Sequence, residues 1–178
     1  MRACVIIIGF LFLLLLAEYC VEERPPAPPV QLRSFVLHDV QGLFGGRALW
    51  VAEDRTAVVQ VVGPSPAGQS GLWEKRYKTK LTAEQWAEVE RLVGAHHFLT
   101  LTMPDRRAVP DEARPIIVVV TKTGTTARAR KWANDKHADF DPLYRYLSGI
   151  CQSAVRQQSF HDGAFDGEWL PAGFERPW

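Results

Sequence analysis

The sequence predicts an α+β domain, an antiparallel sheet of about four to six strands with two helices packed on one face. Three observations predict it. The segment "LWEKRYKTKL" alternates, with Trp73, Tyr77, Thr79 and Leu81 on one side and Glu74, Arg76, Lys78 and Lys80 on the other, the period of a strand with one wet face. Helix start signals stand elsewhere: Thr82 with Gln85 makes a capping box, and Asp141 is followed by Pro142. The elements run strands, helix, strands, helix, without an internal repeat, which gathers the helices on one side of an antiparallel sheet.

The first segment to set apart is "MRACVIIIGFLFLLLLAEYC", in which Arg2 precedes an apolar run from Ala3 to Ala17. It is shorter than the ~20 residues of a comfortable spanning helix and reads as a signal peptide or membrane anchor over residues 1–20. Cleavage makes the protein periplasmic or secreted; retention leaves the N-terminal segment in or through the membrane, with the domain outside the cytoplasm. Lipidation at Cys20 is a third outcome, opposed by Glu18 and Tyr19 where small residues are wanted. Residues 21–31 form a spacer, with four prolines between Pro25 and Pro29 that cannot build a helix.

The domain spans 32–155. "LRSFVLHDV" is extended, "QGLFGG" a glycine loop, and "RALWV" and "AVVQVV" a hairpin around "EDRT". The helix after Thr82 runs to about Ala95 with Trp86, Val89, Leu92 and Val93 on one stripe. A short extended segment and a long exposed loop with Pro104, Pro110 and Pro115 follow. "IIVVVTKTGTTARARKW" is a hairpin whose apolar first strand suggests a central place in the sheet. The second helix turns Leu143, Leu147, Ile150 and Cys151 inward. Residues 156–178 form a tail with Phe160, Phe165, Trp169, Phe174 and Trp178, too rich in glycine and proline for a helix and too aromatic for a disordered segment.

The net charge of +1 hides an uneven spread: residues 73–132 hold 12 Lys and Arg against 7 Asp and Glu, and residues 133–178 hold 4 against 7. Arg76, Lys78 and Lys80 on one strand and Arg128 and Arg130 on another, with Trp132 beside them, are the candidate binding residues, sharing the sheet face that the helices leave open. Export argues against nucleic acid and points to an anionic envelope component or another protein. The tail's Asp162, Asp166, Glu168 and Glu175 make it a candidate occupant of the same cations, its rings on their stems.

No catalytic residue, metal or cofactor is assigned. The alternative is a hydrolase-like enzyme using the His96/His97 region, with His137, Asp135 and Asp139, and the 104–115 loop, where Asp105, Asp111 and Glu112 stand among Arg106, Arg107 and Arg114. Adjacent histidines at a helix end make a poor chelate, and neither a metalloprotease helix motif nor a nucleophile elbow occurs. Of the three cysteines, Cys4 lies in the N-terminal apolar run and Cys151 on a helix's apolar face, so no metal-ligand spacing arises.

The stretches "VLHDVQGLFGGRALWVAEDRTAVV", "EKRYKTKLTAEQW" and "PDEARPIIVVVTKTGTTARARKW" together resemble a bacterial exported-domain family of unknown function over roughly residues 32 to 151. The resemblance implies an envelope location and lends no activity.

Overall fold

The polar breaks between the apolar runs of residues 32–80 become turns, and the runs become a four-strand meander. The computed structural model describes residues 30–67, 69–107 and 109–176. Its strands are β1 (Leu32–Gln41), β2 (Gly45–Val51), β3 (Thr56–Pro64), β4 (Leu72–Lys80), β5 (Ile116–Thr121), β6 (Thr126–Arg130) and β7 (His161–Ala164), with helices α1 (Ala83–Ala95) and α2 (Asp141–Ala154). They form one sheet in the order β6-β5-β1-β2-β3-β4-β7, each neighbouring pair antiparallel.

Seven strands exceed the expected four to six. The added strand, "HDGA", comes from the tail and carries no apolar alternation; it is held by pairing with β4 and by one side-chain anchor on each face. Residues 161–164 of the tail are therefore part of the sheet. The apolar β5 lies next to the β6 edge, and the middle strand is β2. The segment expected to be extended after His97 is a 3-10 turn over Phe98–Thr100, following a left-handed His97.

The α1 cap forms as the sequence predicts. Gln85 N donates to Thr82 Oγ1 at 3.1 Å and Thr82 N to Gln85 Oε1 at 2.9 Å, satisfying backbone donors that the first turn leaves without partners. Before α2, His137 N donates to Asp141 Oδ2 at 3.0 Å. Val89, Leu92 and Val93 of α1 and Leu143, Leu147, Ile150 and Cys151 of α2 share one buried cluster with alternate strand residues, among them Phe35, Leu37, Leu49, Val51, Val59, Ile117 and Val119. Trp86 is half-buried at the margin of that cluster, its ring 5.4 Å from that of Phe35. Tyr144 reaches from α2 to Asp39 at 2.6 Å, and burial, seconded by that bond, pushes its hydroxyl up to about 12.

Val30 packs against this cluster and the Gln31 carbonyl accepts from Lys122 N at 2.9 Å, so the last two residues of the expected spacer are tied to the domain. The expected signal or anchor and the prolines of the spacer lie outside the described residues. Among the described residues no helix is long and apolar enough to cross a membrane.

The start of β2 needs its glycines. Gly46 has φ +141°, and a Cβ there would collide with the Asp39 carbonyl across the hairpin. Gly46→Ala is expected to destabilise the fold by about 3 kcal/mol or more, whereas Gly42→Ala, with no atom near its would-be Cβ, changes little. Urea unfolding midpoints of the two variants check this; equal midpoints would contradict it.

Candidate functional site

Register across the sheet decides which side chains share the face opposite the helix-bearing cluster. One row runs Arg76, Gln60, Ala48, His38, Ile116, Arg130 from β4 to β6, and the next runs Lys78, Val58, Trp50, Val36, Val118, Arg128. The predicted cations thus lie on one face, but at opposite ends of it. Five strand spacings separate β4 from β6, roughly 24 Å. The middle is apolar: Val36, Ala48, Trp50, Ile116 and Val118 form a second buried cluster.

The chain's own tail covers that middle. Trp169, Leu170 and Phe174 pack against the cluster, with the Trp169 ring edge-on to Trp50 at 5.7 Å and 89°. Strand β7 brings the tail into position. Phe160 N donates to the Arg76 carbonyl at 2.9 Å and Phe165 N to the Leu72 carbonyl at 3.0 Å, bracketing the strand. Asp162 pairs with Lys75 at 3.0 Å and accepts from the Trp73 indole. On the other side of the sheet His161 Nε2 lies 3.2 Å from Glu74 Oε1.

Beneath the tail sits a buried ionic group. Glu74 is fully buried and takes hydrogen bonds from Gln60 Nε2 and Arg76 Nη2. Arg76, 7% exposed, lies with its guanidinium 3.8 Å from the Trp169 ring centroid. Desolvated charges hold in such a place only when paired and hydrogen-bonded. Period-two reading of β4 assigns Glu74 and Arg76 to a wet face; both are buried because the covering element lies about 90 residues further along the chain. Lys78 and Lys80 on the same strand remain exposed.

At the far edge Arg128 and Arg130 are exposed and make no ion pair among the described residues. Trp132 follows Arg130 in the row but is not open on it. It is 7% exposed, with Arg114 at 3.9 Å and Arg106 at 5.0 Å from its ring, and so belongs to the packing of the prolyl loop. That loop, expected to be exposed, is tied down. Arg106 donates from Nε to Asp135 Oδ1 at 3.0 Å and from Nη2 to both Glu112 oxygens at 2.7 and 2.6 Å, and this bonding holds the Glu112 carboxyl below its usual range.

No family model, curated protein or solved structure matches the chain.

The candidate catalytic residues separate into two places. His96 and His97 line an open depression with Asp139, whose Oδ1 lies 3.3 Å from His96 Nδ1. The His137 ring is turned to its own backbone, its Nδ1 accepting from Asp139 N and Phe140 N. Asp111 and Glu112 line a different cleft beside Gly42, Leu43 and Phe44, and Asp105 is exposed. Among the described residues no three His, Cys, Asp or Glu side chains are grouped to hold a metal ion. Cys151 is 1% exposed and burial pushes its thiol up to about 12, which makes it a small core residue.

Sequence reasoning missed His38 and Gln60 as members of the covered face and placed Glu74 there as a wet residue, not a buried one. The strand alternation carries that information once the register is known. Burial holds the His38 imidazole down at about 4 from 6.5. The folded state then binds fewer protons than the unfolded chain between those values, so this residue's contribution to stability is complete above about 6.5 and is lost as pH falls toward 4. Stability of the parent is expected to fall more steeply over that interval than that of His38→Gln; parallel urea-midpoint profiles would contradict it.

Removing one partner of the buried pair strands the other. Arg76→Met is expected to cost about 3 kcal/mol, and Glu74→Gln with Arg76→Met to cost at least about 1 kcal/mol less than the sum of the single changes. Additive losses in a double-mutant cycle would show that the pair is not coupled.

Proposed function

We propose that this chain is a non-catalytic domain, held outside the cytoplasm by its exported N-terminus, that binds or positions an anionic envelope component through the basic edge of its strand face. In this reading the two helices form one layer on one side of the sheet and the tail a second on the other. The observation that carries it is the contrast between the two ends of the face. Arg76 is taken up by Glu74 and Trp169, whereas Arg128 and Arg130 on β6 are exposed and unpaired among the described residues. Two cations alternating with buried Ala127 and Ala129 present their charge outward in a row, which suits a repeating anion such as an acidic polysaccharide. The separation of His96, His97 and Asp139 from Asp111 and Glu112 weighs against the enzyme reading, since acid, base and nucleophile must meet at one reacting atom. The resemblance to a bacterial exported-domain family agrees in location and adds no chemistry.

The test is retention of the full-length chain on immobilised dextran sulfate. Arg130→Glu is expected to lower the salt needed for elution markedly, and Lys80→Glu, on the opposite flank, to lower it much less. Failure of the parent to bind at low salt, or equal effects of the two reversals, would refute the assignment to the β6 edge.

A further inference from the structure

Beyond Phe174 the tail and the sheet enclose a cavity of about 360 Å³ against β1, β5 and β6. Its lining includes Val36, Val118 and Val120 from the strands, Phe174 from the tail, and the arginines Arg33, Arg128 and Arg176. A local irregularity in β1 brings Arg33 there. The register with β5 shifts between Leu32 and Ser34, so that Leu32 is buried in the helix-bearing cluster while Ser34 lines the cavity two residues later. Arg33, at the shift, is exposed at the cavity.

The charges round this cavity do not cancel. Arg176 is engaged by Glu168, and Glu175 also lines the cavity, but Arg33 and Arg128 make no ion pair among the described residues. These two stand on the strands either side of β5, two strand spacings apart across the sheet and two to three residues apart along it, roughly 13 Å at the backbone. Two like charges at that spacing, over a floor of valines that lowers the local dielectric, attract an anion placed between them more strongly than either does alone. Guanidinium forks match the paired oxygens of phosphate or carboxylate, and the hydroxyls of Ser34 and Thr126 at the same cavity add short-range donors. A concave site that sets converging polar groups beside an apolar floor suits a small organic anion.

We infer that this cavity binds a small soluble amphiphilic anion, its phosphate or carboxylate group between Arg33 and Arg128 and its short apolar body on Val36, Val118 and Val120 beside the Phe174 ring. The inference rests on the proposed reading of the strand face as an anion-binding surface. It concerns different residues from the dextran sulfate test, since neither Arg130 nor Lys80 lines the cavity. Polymer binding that fails while the cavity binds its ligand, or the reverse, separates the two.

The experiment is a titration of the full-length chain with phenyl phosphate, phenylacetate and inorganic phosphate, followed by valine-methyl NMR. Saturable shifts of the Val36, Val118 and Val120 methyls are expected with at least one of the two phenyl ligands, at a midpoint at least tenfold lower than for inorganic phosphate. The tighter phenyl ligand identifies the headgroup. Arg33→Glu combined with Arg128→Glu should raise that midpoint at least tenfold while the core methyl spectrum stays native, and Phe174→Ala should raise it without affecting inorganic phosphate. Equal midpoints with and without the phenyl body, shifts that never saturate, or indifference to the double reversal would overturn the inference. If the double reversal disturbs the core spectrum, Arg128→Gln replaces it, with a threefold or greater rise expected and an unchanged midpoint counting against the site.

Discussion

Trp50 governs much of this structure. It stands on the middle strand, 1% exposed, yet its side chain points away from the cluster that contains both helices. A buried indole of that size removes on the order of 200 Å² from water, so a face carrying it requires a cover. The tail supplies one with Trp169, Leu170 and Phe174. Its placement in turn depends on β7, whose short pairing with β4 sets the chain running back across the face. The buried Glu74, Arg76 and Gln60 follow from the same arrangement: once the tail lies over β4, its polar side chains are cut off from water and must satisfy one another.

The legible part of the fold is the part written locally. The α1 cap rests on two residues three apart, and the alternation from Trp73 to Leu81 names the residues that share a side of β4, because each is a short-range consequence of helix or strand geometry. The hairpin turn at Gly124 is likewise fixed by a backbone conformation that favours glycine. What alternation cannot give is the depth of a face, which depends on a segment distant in sequence. Glu74 and Arg76 illustrate this, being charged residues in the correct register with a burial that no local pattern reveals.

The candidate site was legible to the same degree. Register places Arg76, Lys78, Arg128 and Arg130 on one face, but strand order, which depends on β1 pairing with β5, puts them at opposite ends. Trp132 looked like an open member of the row and is instead covered by two arginines of the prolyl loop, because backbone pairing runs on past Arg130, with Lys131 N donating to the Pro115 carbonyl and Ala133 N to the Ala113 carbonyl. Arg33 gave no signal at all, since a register shift is a property of the pair of strands and not of either sequence alone.

Among the described residues strand β6 also has an unpaired side. At the other end of the sheet the edge is a four-residue strand, while β6 pairs with β5 alone among the described residues and offers five residues of backbone to any passing strand. Sheets open at an edge invite intermolecular zippering, and short length with charged side chains is how natural edges resist it. Arg128 and Arg130 set like charges against like whenever two copies approach edge to edge. The residues that make this edge a candidate binding surface therefore also keep it from polymerising, and a substitution that neutralises both would expose the protein to fibrous aggregation at high concentration.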